Sequence, residues 1–241
     1  MNFSKRLRTA RRWAPRWART AALLSSVAFA APILTAGPAL AGPDEQATID
    51  HALGTLQDLH HDRAFGNARA LMHTARAVMI APRIFKAGFF FGGEGGTALL
   101  MVRGPHGWSD PAFYTIASAT FGLQIGAQQS EMILFIQSDR ALRAVMRDRF
   151  KVGANAGLAI ATLGSNVQGA TTANAGADII VWASSAGAYA GLTLDGSLIE
   201  PKNSANASFY GRPVSTGDIV MRRSVANPAA SELRRALGDF G

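Results

Sequence analysis

Three arginines, Arg140, Arg143 and Arg147, are spaced by three and four residues in a segment whose pattern predicts a helix. Residues at such spacings lie on one side of a helix, so we expect their guanidinium groups to point the same way. Arg149 and Lys151 follow at once, which gives five cations within twelve residues. A guanidinium group matches the oxygens of a phosphate bidentately, and the cluster is therefore a candidate site for phosphate groups.

The same arginines also fit a simpler interpretation, in which they form the solvated face of a helix. Asp139 and Asp148 are close enough in sequence to pair with them. Isolated charged stripes on helices commonly serve solvation alone. The sequence leaves both interpretations open.

Phe90 is a candidate for contact with the apolar boundary of a membrane. It stands between Phe89 and Phe91 in a segment that is predicted to be a strand. Alternation places Phe85, Phe89 and Phe91 on one face, which we predict to be the core face, so Phe90 points away from the core. The alternative is a strand that is buried on both faces.

Trp108 is the second aromatic candidate. It lies in the segment Gly107-Trp-Ser-Asp-Pro111, and an indole ring is favoured at the headgroup level of a membrane. Tryptophan is also highly buried on average, so packing across the start of a strand is the alternative interpretation.

The chain lacks the residue patterns that catalysis and metal binding commonly show. It contains no cysteine, which excludes a disulfide, a thiol nucleophile and a thiolate metal site. None of its five histidines belongs to an HExxH motif, and no G-x-S-x-G segment occurs. The run Gly92–Gly96 lacks the ending of a nucleotide-binding loop and is predicted to be a turn or bulge. We therefore predict a protein that is not an enzyme and that uses no metal and no other cofactor.

The positive charge of the chain is concentrated at its beginning. Residues 1–41 hold seven basic and no acidic side chains, whereas residues 42–241 hold 17 basic and 16 acidic ones, which leaves +1. An apolar run and the small-residue exit Pro38-Ala39-Leu40-Ala41 follow the arginines, as in a secretory signal. We predict a signal peptide over 1–41, cleaved near Ala41, one domain over 42–241, and a periplasmic or secreted product. The near-neutral domain predicts no nucleic-acid partner.

The hydrophobic pattern of the sequence predicts the helices and strands that carry these candidate residues. Residues 44–75 show the spacing of amphipathic helices, and from Ala77 the pattern alternates with the period of strands. A further helix is predicted from Ser138-Asp139 to about Arg147, and another after Pro228. Glycines inside the strands mark bends and close approaches. We predict an α+β fold: a strongly curved, mostly antiparallel, barrel-like and glycine-rich sheet with N-terminal, central and C-terminal helices.

Six segments form a recognisable series of motifs, namely Ala75–Pro82, Lys86–Gly88 with the Gly92–Gly96 run, Gly107–Phe113, Gly122–Ser130, Gly187–Ser197 and Phe209–Gly211. In their order and spacing they resemble the SYLF domain. The resemblance runs from about residue 48 to residue 240, which is nearly the whole of the predicted mature chain.

The resemblance implies a lipid-binding module that is not an enzyme. Eukaryotic relatives bind phosphoinositides, and some bind and bundle actin, while bacterial relatives are exported proteins or lipoproteins thought to contact phospholipid. In eukaryotic relatives a basic amphipathic N-terminal helix is held to contact the membrane. The matching helix here, 44–59, departs from that pattern because it carries four acidic residues and no Lys or Arg. An exported protein would also not meet actin in its own cell.

These features together predict an exported, non-catalytic protein that contacts the anionic phospholipid headgroups of the cell envelope. Its candidate contact residues are Arg140, Arg143, Arg147, Arg149, Lys151, Phe90 and Trp108. The alternative is a structural or interaction protein that assembles with itself or with an envelope protein. A third interpretation is a barrel that encloses a lipid, in which the small side chains of residues 152–194 leave room for an acyl chain.

Overall fold

The computed structural model describes residues 42–61, 68–88, 91–121, 126–152, 160–164, 176–185 and 196–240. The predicted signal peptide and Phe90 lie outside these ranges, as does most of the segment 152–194 that could enclose a lipid. Six α-helices occur in the described residues, the last preceded by a 3-10 turn over Pro228–Ala230. They are α1 (Pro43–His61), α2 (Ala68–Thr74), α3 (Asp139–Val145), α4 (Asn203–Tyr210), α5 (Thr216–Val220) and α6 (Ser231–Asp239).

The strands of the described residues form a single sheet. They are β1 (Ala77–Gly88), β2 (Phe91–Gly104), β3 (Gly107–Trp108), β4 (Ala112–Phe121), β5 (Gly126–Ile136), β6 (Phe150–Lys151), β7 (Ile160–Gly164), β8 (Ile179–Ser185) and β9 (Leu198–Pro201). Their order is β6-β9-β4-β2-β1-β5-β8-β7, with β3 paired to β2 at the side. The described pairings are antiparallel, apart from the parallel pair of β7 and β8. The sheet curls into a half-barrel, which confirms the predicted α+β fold with its strongly curved sheet.

Strand β1 runs without interruption through Pro82. Its pairing with β2 shifts between Ile80 and Arg83, so two residues of β1 oppose one residue of β2. Such a bulge accommodates proline in a central strand, because proline has no N–H to give to the ladder. The extra residue also reverses which later residues of β1 point to each side of the sheet, since side chains alternate with a period of two. In an unbroken strand, Ile84 would lie on the same side as Ile80. With the bulge, Arg83 and Phe85 lie on that side instead.

Strand pairing aligns residues from distant parts of the chain in rows across β1, β2, β4, β9 and β6. The central row consists of Ile84, Gly96, Ile116, Ile199 and Phe150. Its four side chains are each 1 % exposed or less, and the burial of each contributes about 1.5–3 kcal/mol. This row belongs to the hydrophobic core and fixes the register of the strands beside it.

The two rows that flank the buried one point to the opposite side of the sheet, which we call the groove face. The first of these rows is Arg83, Thr97, Thr115 and Glu200. The second is Phe85, Gly95, Ala117, Leu198 and Lys151. With neighbouring strands about 4.8 Å apart, the second row is roughly 19 Å long. The sheet thus places Lys151, one of the predicted contact residues, on the same face as Arg83 and Phe85.

The predicted turn or bulge over Gly92–Gly96 is wrong, because the run is part of β2 and pairs with both β1 and β4. Gly96 shows why glycine is needed inside this strand. A Cβ at this position would overlap the carbonyl oxygen of Arg83, which the bulge of β1 pushes toward β2. Close backbone approach, and not a change of chain direction, explains this glycine.

Candidate functional site

Helix α3 carries two of the predicted contact residues, Arg140 and Arg143. Ser138 caps the helix by accepting a hydrogen bond from the N–H of Ala141 at 3.1 Å. The opposite side of the helix is buried, so both arginines remain exposed. The helix ends at Val145, and Arg147 therefore lies in the turn that follows it.

Arg140 is held in an ion pair. Its Nη2 lies 2.5 Å from Oδ2 of Asp178, whose side chain is only 6 % exposed. The other carboxylate oxygen of Asp178 accepts a hydrogen bond from the hydroxyl of Ser138 at 2.5 Å. The same aspartate thus ties the cap of α3 to the start of β8, and the charge of Arg140 is largely neutralised.

Arg149 and Lys151 lie at the edge strand β6. Arg149 pairs with Glu200 of β9, with 2.7 Å between Nε and Oε1. Lys151 is exposed and stands opposite Leu198 at the end of the second row of the groove face. The sequence cluster is therefore divided between α3 and the sheet.

Arg143 and Arg147 differ from their neighbours. Both are exposed, and neither forms an ion pair or a hydrogen bond with any residue that the structure describes. Asp139, a predicted partner of the arginines, instead pairs with Arg76 at 3.4 Å. Two guanidinium groups of the predicted cluster are thus available to a ligand from outside.

Trp108 is buried, with 5 % of its surface exposed. The guanidinium group of Arg103 lies 4.5 Å from the centre of its ring, and Arg103 also donates to the carbonyl oxygens of Ala75 and Met72. The indole therefore packs inside the fold, as in the alternative interpretation, and does not belong to the exposed surface. Phe90, the other aromatic candidate, lies outside the described residues.

The structure also contains a groove that the sequence did not predict. It has a volume of about 600 Å³ and lies between α1 and the groove face of the sheet. Helix α1 contributes residues from one side, Asp44, Ala47, Thr48 and His51. The sheet contributes Arg83, Phe85, Thr97 and Thr115, and Lys202 joins them from the segment after β9.

Lys202 is held at the groove by one hydrogen bond of its backbone and one of its side chain. Its N–H donates to the carbonyl oxygen of Phe113 at 2.8 Å, and its Nζ donates to Oγ1 of Thr97 at 3.2 Å. Asn206, which is fully buried in α4, accepts from the N–H of Phe113 at 2.8 Å and donates to its carbonyl oxygen at 3.2 Å. Asn206 thereby fixes α4 to β4. Lys202, which directly precedes α4, is held beside Thr97.

Phe85 is 56 % exposed and lines the groove. The prediction that it belongs to the core face is wrong, because the bulge at Pro82 moves it to the other side of the sheet. A single exposed apolar side chain is ordinary at a protein surface, and Phe85 is of interest because it lines the same groove as the two cations Arg83 and Lys202. Neither Arg83 nor Lys202 was singled out by sequence, because each is an isolated cation and only the strand pairing brings them together.

Two acidic side chains on the described strands have a raised pKa. Burial raises the pKa of Glu94, and the charge of Lys86 lowers it in part. Burial likewise raises the pKa of Glu131. Across the described ranges, no three His, Asp or Glu side chains come together as a metal site requires. No helix within those ranges combines the length and apolar character needed to cross a bilayer.

Comparison with known proteins gives a family match. The family model described as "Ysc84: Las17-binding protein actin regulator" matches residues 117–240, which is just over half of the chain. This range includes α3, β6 and Lys202, whereas Arg83 and Phe85 precede it.

Individual relatives come from animals and yeast. The SH3 domain-containing YSC84-like protein 1 of Rattus norvegicus is 31 % identical over 160 residues, which cover 65 % of this chain and 47 % of that protein. The protein of the same name in Homo sapiens is 29 % identical over 159 residues, covering 65 % and 46 %. Protein YSC84 of Saccharomyces cerevisiae is 29 % identical over 158 residues, covering 64 % and 34 %. The matched part thus spans about half the length of the animal relatives and a third of the yeast one.

Proposed function

Because the chain belongs to the Ysc84 family of SYLF domains, we propose that it binds anionic phospholipid headgroups at a membrane surface and catalyses no reaction. The proposed contact surface consists of Arg143, Arg147 and Lys151. The observation that carries the proposal is the exposure of Arg143 and Arg147 without an acidic partner among the described residues. The ion pairs of Arg140 and Arg149 stabilise the elements that present this surface.

Local charge, and not net charge, supplies the attraction in this proposal. Residues 42–241 carry 17 basic and 16 acidic side chains, so the domain as a whole is close to neutral. A cation near an anionic membrane surface contributes about 1 kcal/mol, within a distance of about 8–10 Å at moderate salt. Two or three such cations give weak, reversible and salt-sensitive binding.

We also propose that the protein acts at the cell envelope after export. Residues 1–41 combine the basic, apolar and small-residue regions of a secretory signal. Las17 binding and actin regulation appear in the description of the family and are attributed to relatives, and export would separate this chain from such cytoplasmic partners. Fractionation of expressing cells tests the location: a full-length chain retained in the cytoplasm would contradict export.

Vesicle flotation of the full chain tests the proposed lipid binding. We expect little recovery with phosphatidylcholine vesicles and increasing recovery as phosphatidylglycerol is added. The double variant Arg143→Ala/Arg147→Ala should bind at least tenfold more weakly, since it removes about 2 kcal/mol of attraction. Arg235→Ala, at an exposed position of α6, is the matched control and should bind as the wild type does. The basic residues of 1–41 are common to all these chains, so equal binding of the double variant and the wild type would contradict the proposed surface.

A second candidate function is assembly with the same chain or with an envelope protein. The observation that favours it is the exposure of two large apolar side chains, Phe85 and Met221, each 56 % exposed. Sedimentation at several concentrations tests self-assembly, and Met221→Ser should weaken it. A monomer at all concentrations that still floats with anionic vesicles would remove the support for self-assembly.

A further inference from the structure

Arg83 is an arginine without a protein partner in a concave surface. Most arginines of the described ranges are satisfied within the protein. Five pair with carboxylates, namely Arg76, Arg140, Arg149, Arg222 and Arg234, and three donate to carbonyl oxygens, namely Arg103, Arg212 and Arg223. Arg83 makes neither kind of contact with a described residue, although it lines the groove beside α1. A guanidinium group in this situation has its hydrogen-bonding fork free for an anion.

A second cation, Lys202, contacts the threonine that stands opposite Arg83. Arg83 stands directly opposite Thr97 in the pairing of β1 with β2, and directly opposed residues have Cβ atoms about 4.5–5.5 Å apart. The Nζ of Lys202 lies 3.2 Å from Oγ1 of the same threonine. Thr115 continues the row on β4 and adds a second hydroxyl. Two cations and two hydroxyl groups therefore surround one position on the groove face.

The charge of the groove indicates which anion fits. Asp44 is the single carboxylate of the lining, beside the two cations Arg83 and Lys202, so the formal charge is +1 with His51 neutral. A phosphodiester carries one negative charge and complements this lining. At neutral pH inorganic phosphate is a mixture of monoanion and dianion, and the dianion would leave one negative charge unbalanced in this lining.

The groove also has an apolar side that a free phosphate group would not use. Phe85 is exposed within it, and the next two residues of the row toward β4 are Gly95 and Ala117, which are both small. The groove is therefore open beside the ring of Phe85. On the other side of Phe85 stands Gln129 of β5, an exposed polar residue. A hydrocarbon chain that covered this ring would remove apolar surface from water.

We propose that this groove holds the headgroup of one anionic phospholipid molecule, with its phosphodiester bound by Arg83 and Lys202 and the start of an acyl chain lying against Phe85. The inference rests on the proposed phospholipid binding and adds a specific site to it. The lining of that site consists of residues other than Arg143 and Arg147. The volume of about 600 Å³ accommodates a headgroup with part of a chain, within the usual range of ligand pockets.

Titration of the full chain with monomeric dihexanoyl phosphatidylglycerol, followed by amide chemical shifts, tests the groove. We expect saturable binding with shifts at Gly95, Thr97 and Thr115. Dihexanoyl phosphatidylcholine and inorganic phosphate are the comparison ligands, and each should bind at least tenfold more weakly. Arg83→Ala and Lys202→Ala should each weaken binding of the anionic lipid at least tenfold, and Phe85→Ala should weaken it several-fold. Arg235→Ala, at an exposed position of α6, is the matched control and should bind this ligand as the wild type does.

The outcomes separate this inference from the proposed function. If the wild type floats with anionic vesicles but shows no shifts in the groove with the short-chain lipid, the groove site is overturned and peripheral binding stands. If it does neither, both are overturned. If phosphate binds as tightly as the lipid and Phe85→Ala has no effect, the groove is an anion site only and the lipid assignment is overturned. Should a variant fail to fold, the wild-type shift map still decides, because shifts confined to other elements overturn the site.

Discussion

Arg140 and Asp178 form an ion pair in which only the arginine faces solvent: its side chain is 60 % exposed, and that of the aspartate is 6 % exposed. The pair connects the first turn of α3 with the residue before β8. The hydroxyl of Ser138 donates a hydrogen bond to the carboxylate of Asp178 as well. Arg140 is thus bound to the fold, while Arg143, one turn further along the same helix, is not.

This difference predicts effects of different size for two similar substitutions. Arg140→Ala should lower the free energy of unfolding by about 1–2 kcal/mol, because it leaves a buried carboxylate without its cation. Arg143→Ala should change that free energy by less than about 0.5 kcal/mol, as surface substitutions usually do. Urea denaturation measures both. Equal losses in the two variants would contradict the assignment of a structural role to Arg140 alone.

Gly96→Ala should destabilise the fold by about 1–3 kcal/mol, because the added methyl group overlaps backbone that cannot move aside. The clash is with the carbonyl oxygen of Arg83, so the variant should also weaken lipid binding in the groove. Gly54→Ala is the matched control, since a Cβ at that position in α1 meets nothing within 4 Å. It should stabilise the protein by up to about 1 kcal/mol. Thermal unfolding compares the two, and a neutral Gly96→Ala would show that the bulge is not tightly packed against β2.

Asn206→Ala should lower the free energy of unfolding by about 1–3 kcal/mol, since it leaves the buried N–H of Phe113 without its acceptor. The carbonyl oxygen of Phe113 keeps the hydrogen bond from the N–H of Lys202. Asn206→Asp should cost more, because a carboxylate oxygen would face the carbonyl oxygen of Phe113 where an amide N–H now donates. Asn203→Ala, at an exposed position of the same helix, should have little effect. Denaturation curves of the three variants check the order. If Asn206→Asp were as stable as the wild type, the described bonding of α4 to β4 would be incorrect.

Asp218 should make the free energy of unfolding depend on pH in the acid range. Its carboxylate accepts hydrogen bonds from the hydroxyl of Ser215, at 2.6 Å, and from Arg222, at 2.8 Å, and these contacts lower its pKa from 3.8 to about 2. The folded protein therefore binds this proton more weakly than the unfolded chain does. The resulting stabilisation is complete above about pH 4 and is lost as the pH falls toward about 2.

The variant Asp218→Asn should lack this part of the pH dependence. Denaturation at pH 7 and pH 3 should show a smaller loss of stability for the variant than for the wild type. Ser215→Ala removes the main partner and should reproduce part of the effect, and the double variant should add little to it. An identical pH dependence in wild type and Asp218→Asn would contradict the assigned contacts.

The sequence was sufficient to predict α3, the alternating strands and the curved antiparallel sheet, because each of these has a local period. It was not sufficient to predict the face of Phe85. One extra residue at Pro82 exchanges the two faces of β1, and that residue becomes visible only when the pairing with β2 is known. A period read along a single strand carries no information about such an offset.

The candidate site shows the same limit. Arg143 and Arg147 could be singled out because they are close together in the chain. Arg83 and Lys202 are 119 positions apart in the numbering and come together only through the order of β1, β2, β4 and β9 in the sheet. Likewise, the sequence named acidic neighbours of the arginine cluster as partners, whereas the structure pairs Arg140 with Asp178 and Arg149 with Glu200.

The bulge in β1 makes the chemistry of this surface sensitive to length as well as to residue type. Deletion of the extra residue at Pro82 would straighten the strand and leave every later residue opposite its present partner, so Arg83 and Phe85 would still face the groove. If the later part of β1 instead slid by one residue, Ile84 would stand opposite Thr97 and Lys86 opposite Gly95, and the groove would lose both its guanidinium group and its aromatic ring. A homologous chain that is one residue shorter at this point would therefore keep the fold, and its register against β2 would decide which of these two surfaces it presents.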